Sequence, residues 1–392
     1  MKNEIKNFID LRENKSKLNS VDEIVGVCKR INNSKRDFLF VNKFQGKHVP
    51  QSPSRVLKLF DEFVENIKIK DEKVLVIGFA ETATAIGNYV SAKFPNCIYE
   101  MQTTREIIEN QEPIVEFKEE HCHAPTQLLY GDKKMLFKAQ TVLFVEDEIT
   151  TGKTIINFIN ELNKINPNLK YAVASILNWQ DEESSALYKK LNIDTYYLIK
   201  GEIKDLTAKV DIVSESEFSI ENNTTDKIRC TQVKSEYCSL EKTRLGRNPK
   251  KDIELYGESL YNEILKSSEL LNEISKTENK NILIIGTEEF MYEPLLLANY
   301  LEKNTNNNVR YHATTRSPIE ASKQSNYLLN SRYKFRSCYE KERTTYLYNL
   351  NNYDYVLIVT DSKVEEEFCK DITNIFYSKR YDLNKIEILC LY

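Results

Sequence analysis

No apolar run in this sequence approaches the ~20 residues that a membrane-spanning helix requires, so a helical membrane protein is excluded. The first residues, Met1-Lys2-Asn3-Glu4-Ile5-Lys6-Asn7, lack the apolar segment and small-residue cleavage site of a secretory signal, and a cytoplasmic location is expected. The eight cysteines (Cys28, Cys97, Cys122, Cys230, Cys238, Cys338, Cys369, Cys390) form no C-x-x-C pair. Neither a zinc ribbon nor a disulfide framework is therefore expected, and they read as reduced thiols. Charge of one sign is also lacking: 55 Lys and Arg face 59 Asp and Glu, a net charge of −4. Nucleic acid is accordingly not the default partner.

What remains is an ordinary globular composition, 41% hydrophobic and 29% charged, in a chain of 392 residues. That length exceeds what one hydrophobic core usually supports and predicts two domains of roughly 150 to 200 residues. Residues 1–34 are rich in Asn, Lys and Ser and read as a polar leader, loose apart from one short helix. A first domain is expected over 35–210. Phe38–Val41 reads as a strand, and Ser54–Ile67, entered through Pro53, as a helix with Val56, Leu57, Leu59, Phe60, Phe63 and Val64 on its apolar face. Val74–Ile77, bounded by Gly78, has the continuous apolar character of a strand buried on both faces, and Thr82–Lys93 reads as the helix after it. Ile98–Gln102, Val142–Val145, Tyr171–Leu177 and Thr195–Ile199 extend the alternation, with a helix near Lys153–Lys164. The expected fold class is α/β, built from two parallel-sheet domains. A polar connection is placed at 211–250 and a second domain at 251–392. The latter has a helix near Ser259–Ser275 and strands at Ile282–Ile285, Val309–His312 and Val356–Val359.

Residues 142–154 read Val-Leu-Phe-Val-Glu-Asp-Glu-Ile-Thr-Thr-Gly-Lys-Thr, a buried strand ending in acids and followed by a hydroxyl-rich turn that opens a helix. Thr150, Thr151, Gly152, Lys153 and Thr154 can wrap amides and hydroxyls round a phosphate, with Gly152 permitting the tight turn. Glu146 and Asp147 beside it can accept hydrogen bonds from two neighbouring sugar hydroxyls. A fortuitous turn would have to supply both acids, the glycine and three threonines in register. A nucleoside-triphosphate P-loop would require glycine at 147, where this chain has Asp147. Over its whole length the segment is similar to the binding motif for 5-phosphoribosyl-1-pyrophosphate (PRPP) of type I phosphoribosyltransferases. The resemblance implies a Rossmann-like first domain. It also implies a pyrophosphate turn after that domain's first strand, here Gly78-Phe79-Ala80-Glu81-Thr82-Ala83-Thr84, and a mobile covering segment from Thr103-Thr104-Arg105 to His121-Cys122-His123-Ala124-Pro125-Thr126. Arg105 suits pairing with pyrophosphate. His121 and His123, preceded by Glu119 and Glu120, are open to a proton-transfer or base-contacting role, to a solvated loop, or to metal, but two histidines do not make a zinc site.

The halves repeat. Val76-Ile77-Gly78-Phe79-Ala80-Glu81 faces Ile284-Ile285-Gly286-Thr287-Glu288-Glu289; Thr103-Thr104-Arg105 faces Thr314-Thr315-Arg316; Val142–Asp147 faces Val356–Asp361. From glycine to arginine the distance is 27 positions in one copy and 30 in the other. Three short matches in one order imply an internal duplication. Asp361 is followed by Ser362-Lys363-Val364-Glu365 with no Thr-Thr-Gly, so the second copy is not expected to hold PRPP in the same way. Thr314, Thr315, Arg316 and Asp361 are candidates for another ligand or for an interface.

His312-Ala313-Thr314-Thr315-Arg316-Ser317-Pro318-Ile319 resembles the Thr-Arg-Ser-Pro signature of the TRSP domain. That domain follows a divergent, orotate-phosphoribosyltransferase-like domain in bacterial proteins of tellurite-resistance and stress-response gene clusters. Arg244-Leu245-Gly246-Arg247, Arg343–Asn349, Gly46-Lys47-His48-Val49-Pro50 and Glu120–Ala124 fit the same pair of domains. The resemblance implies a Mg²⁺-dependent enzyme of nucleotide metabolism that transfers a phosphoribosyl group from PRPP to a nucleobase-like acceptor and releases pyrophosphate. Its expected catalytic residues are Glu146, Asp147, Arg105 and His123; Gly78, Ala80, Glu81, Thr82 and Thr150–Thr154 join the two acids in holding PRPP, and Mg²⁺ is held through PRPP. A PRPP or nucleotide sensor, and an enzyme releasing a base from a nucleotide, remain as alternatives; the acceptor and any homo-oligomer are left open.

Overall fold

The computed structural model describes residues 4–31, 36–118, 126–214 and 227–392. In chain order the first half forms β1 (Ile9–Asn14), α1 (Val21–Ile24), β2 (Val25–Lys29), β3 (Phe38–Asn42), α2 (Pro53–Glu65), β4 (Val74–Gly78), α3 (Thr84–Lys93), β5 (Cys97–Thr104), β6 (Val115–Lys118) and β7 (Thr126–Leu129). It continues with α4 (Met135–Lys138), β8 (Thr141–Ile149), α5 (Lys153–Ile165), β9 (Lys170–Asn178), α6 (Glu182–Lys190) and β10 (Ile193–Ile203). The second half forms β11 (Arg229–Val233), α7 (Leu240–Arg244), α8 (Ile253–Leu265), α9 (Glu269–Ile274), β12 (Asn281–Gly286), α10 (Tyr292–Asn304) and β13 (Asn308–Ala313). It ends with β14 (Arg332–Arg336), β15 (Thr344–Tyr348), β16 (Tyr355–Thr360), α11 (Glu366–Ser378) and β17 (Ile386–Leu391).

An eight-stranded sheet runs β1-β10-β9-β8-β4-β5-β7-β6, parallel from β10 to β5 and antiparallel at both edges. A five-stranded, wholly parallel sheet runs β11-β17-β16-β12-β13. The order β9-β8-β4-β5 recurs as β17-β16-β12-β13, which is the sequence repeat expressed as topology. Both central strands are covered on two faces. Along β4, Leu75 and Ile77 pack with Phe144 and Phe158, while Val74 and Val76 pack with Ile86 and Val90. Each such fully buried aliphatic contributes about 1.5–3 kcal/mol by leaving water. Among the described residues no helix is long and apolar enough to cross a membrane.

Four readings change. The leader is not loose: β1 pairs antiparallel with β10, β2 pairs with β3, and Phe8, Ile24, Val25, Val27 and Cys28 are buried. β1 escapes sequence reading because it is an edge strand whose only fully buried residue is Ile9. The helix expected over Ser259–Ser275 is two helices, α8 and α9, separated where Ser268 accepts a hydrogen bond from the Leu271 amide as an N-cap. The expected covering segment contributes β6 and β7, which extend the sheet from β5, while residues 119–125, with His121, Cys122 and His123, lie outside the described residues. Finally, the polar connection supplies the edge strand β11 and the fully buried Arg244 to the second half.

The segments leading into α2 and α8 each cross to the other sheet. Tyr311 on β13 exchanges backbone hydrogen bonds with Gln51 (2.8 and 2.9 Å), and Glu100 on β5 does the same with Arg247 (2.9 Å each way). Gly46 makes the first crossing possible. Its φ is +77°, and a Cβ there would lie 2.3 Å from the Tyr311 ring. Gly46→Ala is therefore expected to cost about 2–4 kcal/mol, from left-handed strain plus overpacking. Gly257→Ala, in α8 with no atom nearer than 3.4 Å to its Cβ, is expected to be neutral or to stabilise by up to ~1 kcal/mol. Denaturant midpoints of the two variants check the contrast; equal behaviour would contradict it.

Candidate functional site

The carboxyl ends of β4 and β8 open onto a cavity of about 460 Å³ lined from both halves of the chain. A larger open groove of about 1210 Å³ lies at the opposite end of the strands, against Asp71, Thr141, Lys170 and Ile193. The smaller one is the candidate, because in open α/β sheets ligands meet the helix N-termini and turns at the carboxyl strand ends.

β8 runs further than its apolar stretch, so Glu146, Asp147 and Glu148 are still in strand conformation at the cavity. Asp147 accepts hydrogen bonds from Thr82 Oγ1 (2.7 Å) and Gln45 Nε2 (2.6 Å). Burial raises its pKa, and those two donors partly oppose the rise. Beyond Ile149 the chain turns through Gly152, whose φ of +72° begins α5. The Gly152 carbonyl accepts from Tyr188 Oη (2.8 Å), and a Cβ at 152 would collide with that hydroxyl. Thr154 lines the cavity, while Thr150, Thr151 and Lys153 lie along the exposed or half-buried turn. The start of the 13-residue α5 thus points at the cavity with its helix dipole positive end.

The second turn, Phe79-Ala80-Glu81-Thr82, is held from three sides. The Ala80 amide donates to Thr103 Oγ1 (2.8 Å), the Ala80 carbonyl accepts from Gln127 Nε2 (3.2 Å), and Thr82 is tied to Asp147. The Ala80–Glu81 peptide is cis. Glu81 is buried; its desolvation favours the neutral acid, but Lys47 and Arg316 outweigh that and hold its pKa at about 2. Lys47, itself fully buried, donates to Glu81 Oε1 (2.5 Å), to the Thr314 carbonyl (3.1 Å) and to the Glu288 carbonyl. The Arg316 amide donates to both Glu81 oxygens (3.3 Å each), and its guanidinium reaches Glu288 (2.5 Å), Glu106 (2.6 Å) and Glu289 (3.1 Å).

The corresponding place in the second half is closed. Asp361, the counterpart of Asp147, accepts from Tyr339 Oη (2.6 Å), from Arg244 Nη1 (2.7 Å) and from Thr243, and is buried. Arg244 also donates to Glu289 (3.1 Å) and, like Asp361, has no solvent-exposed side-chain surface.

The structure brings Ala80, Glu81, Thr82, Arg105, Glu146, Asp147 and Thr154 to one cavity, and adds Thr315 and Arg316 from the second half. Gly78 sits behind the turn, where a Cβ would approach the Gly87 Cα to 3.2 Å. Thr314 and Asp361 do not border the cavity, and His123 lies outside the described residues. Sequence reading passed over Gln45, Gln127 and Glu148 as cavity residues and Lys47 as the partner of Glu81. Gly46-Lys47-His48-Val49-Pro50 stood out as a motif, but nothing local shows that Lys47 meets residues more than 200 positions away.

A phosphoribosyl transferase family profile matches residues 24–202, and a profile of the TRSP domain, C-terminal to that phosphoribosyl transferase, matches residues 242–376. Among solved structures the chain is similar to adenine phosphoribosyltransferase from Rhodothermus marinus DSM 4252, at 11% identity over 46% of this chain and 96% of that one, with a TM-score of 0.32. It is also similar to the enzyme from Giardia lamblia complexed with 9-deazaadenine, at 12% identity over 45% and 94%, TM-score 0.32. For the Trypanosoma brucei enzyme in complex with AMP, pyrophosphate and ribose-5-phosphate the values are 14%, 44%, 84% and 0.29. No curated protein matches.

The depressed Glu81 pKa has a signed consequence. The group stays ionised in the folded chain to about pH 2 but takes up a proton near its ordinary 4.5 once unfolded. Its contribution, on the order of 3 kcal/mol, is therefore complete above 4.5 and lost as pH falls toward 2. The stability difference between the wild type and Glu81→Gln is expected to shrink across that window in chemical denaturation. A difference that does not vary with pH there would contradict the assignment.

Proposed function

We propose that this chain, a phosphoribosyl transferase domain followed by a TRSP-family domain, transfers a phosphoribosyl group from PRPP to a nitrogenous, nucleobase-like acceptor. The observation that carries this reading is the 2.7 Å hydrogen bond from Thr82 to Asp147, which locks the acid-bearing strand end to the candidate pyrophosphate turn around one cavity.

In this reading the Thr150–Thr154 turn and the start of α5 take the 5′-phosphate, and Glu146 and Asp147 take the two ribose hydroxyls. The Ala80–Thr82 turn and Arg105 take the pyrophosphate. Attack of the acceptor nitrogen on C1′ forms the N–C bond as the C1′–O bond to pyrophosphate breaks, through an oxocarbenium-like transition state. The residues contribute alignment and charge stabilisation at the departing pyrophosphate, so no nucleophilic side chain is required. Mg²⁺ would come with the pyrophosphate of PRPP, with Glu146 or Asp147 able to stand beside it, and would add positive charge there.

Glu148 borders the same cavity, and burial raises its pKa to about 7 against the pull of Arg36 and Arg30 and with the push of Asp147; Trp179 faces it from beyond β9. The Arg36 guanidinium is 4.0 Å away. Such a carboxylate can take the proton that an N–H acceptor loses on bond formation.

Pyrophosphate release from PRPP and Mg²⁺ across a panel of purines, pyrimidines and pyridines tests the reading. Release that requires one base and is lost in Asp147→Asn is expected; PRPP binding without release for any base would instead favour a sensor, and release of ribose phosphate a base-releasing enzyme. With the productive base, kcat is expected to rise with pH through about 7 and Glu148→Gln to lose roughly 10²-fold and flatten that limb. A profile unchanged in Glu148→Gln would remove Glu148 from proton transfer.

A further inference from the structure

The two halves meet through equivalent elements, each doing to the other what is done to it. The Arg316 amide of the second half donates to Glu81 of the first, and the Arg105 amide of the first donates to Glu289 of the second (3.0 Å). By the sequence repeat, Arg105 is the counterpart of Arg316 and Glu81 of Glu289. Inside each half the turn is braced alike: the Ala80 amide on Thr103 Oγ1, the Glu288 amide on Thr314 Oγ1 (3.0 Å). The crossing segments obey the same rule, Gln51 on β13 and Arg247 on β5, and α3 packs against α10. Reciprocity of this kind defines a two-fold, isologous interface, here formed within one chain.

Among the described residues only one side of the pair keeps an open cavity. Tyr339, Arg244 and Thr243 fill the position at Asp361, whereas the cavity at Asp147 is open and bordered by Thr315, Arg316 and Ser317 of the closed half. An ionised Glu81 in a turn that receives pyrophosphate would repel it unless a fixed cation cancels the charge. Lys47 comes from the first domain, with its Nζ 2.5 Å from Glu81 Oε1, and the second domain supplies the Arg316 guanidinium, whose Nε lies 3.7 Å from Glu81 Oε2.

We propose that the second domain is a closed copy retained as a built-in partner subunit, and that Arg316 is the positioning residue through which it holds Glu81 and sets the Ala80–Thr82 turn to accept the pyrophosphate of PRPP. This rests on the phosphoribosyl-transfer reading above. Arg316 acts through Glu81, so its loss falls on PRPP affinity while the acceptor's KM is preserved.

The test measures binding of PRPP with Mg²⁺ by calorimetry, and KM for PRPP and for the acceptor separately, in the full-length chain. Arg316→Gln is expected to weaken PRPP at least about tenfold with a near-normal acceptor KM, and Glu81→Gln/Arg316→Gln to recover most of that affinity, because the charge needing cancellation is gone. A merely structural arginine would not be rescued by removing a second buried partner. If Arg316→Gln does not fold, Arg316→Lys, which keeps the charge and loses the fork, is expected to give an intermediate loss. PRPP affinity at the wild-type level in whichever of these folds, or no recovery in the folded double variant, overturns the inference while leaving transfer intact, provided that Asp147→Asn still abolishes PRPP binding. Absence of PRPP binding in the wild type overturns the underlying reading, and the inference with it.

Discussion

Glu81, Glu106, Glu288 and Glu289 are buried together at the junction of the two sheets, and the rest of the structure is arranged to make that tolerable. Carboxylates withdrawn from water persist as ions only where cations and hydrogen-bond donors replace the lost solvation. Lys47, Arg244, Arg316 and Arg343 supply the cations. The balance is local. Lys47 and Arg316 keep Glu81 ionised, whereas burial and the neighbouring Glu289 push Glu106 up to about 7 despite Arg343 and Arg316. Because the cations arrive from both domains, neither turn has its full set of partners unless the domains are together.

This dependence explains why the chain crosses between sheets before α2 and again before α8. Each crossing delivers a residue to the charge cluster, Lys47 after Gly46 and Arg244 before Gly246, and then fixes itself by backbone hydrogen bonds to the opposite second strand. Gly246 lies so close to Tyr99 that a Cβ would come within 2.5 Å of its ring, much as Gly46 lies against Tyr311. The near approach of backbone to aromatic ring lets the cluster sit at the strand ends instead of at a remote surface.

Divergence between the copies has a simple physical form. In the first half the strand-end acid Asp147 is hydrogen-bonded to Thr82 and Gln45 and borders open space. In the second the equivalent acid is paired with Arg244, hydrogen-bonded by Tyr339 and buried. Filling a cavity with an aromatic ring and an ion pair removes a binding site yet preserves the layer of side chains that the partner turn rests on.

The strands of both sheet centres were legible because a strand buried on two faces must be continuously apolar, as at Val74–Ile77 and Ile282–Ile285. The acids of β8, Gly152 and the repeated Thr-Thr-Arg were legible because a tight strand-to-helix turn and a duplication leave short-range traces in order and spacing. The edge strand β1, with five of its six residues not fully buried, left no such trace. Nor did the pairings Lys47 with Glu81 and Arg316 with Glu81, which join residues 34 and 235 positions apart. The sequence by itself determined the α/β class, the two-copy plan and the glycine turn that opens α5, since these follow from local pattern. Only the tertiary structure decided that one site stays open, that the other is closed, and that a cation from each domain serves a single glutamate. Those outcomes depend on which side chains the two sheets bring out of water together.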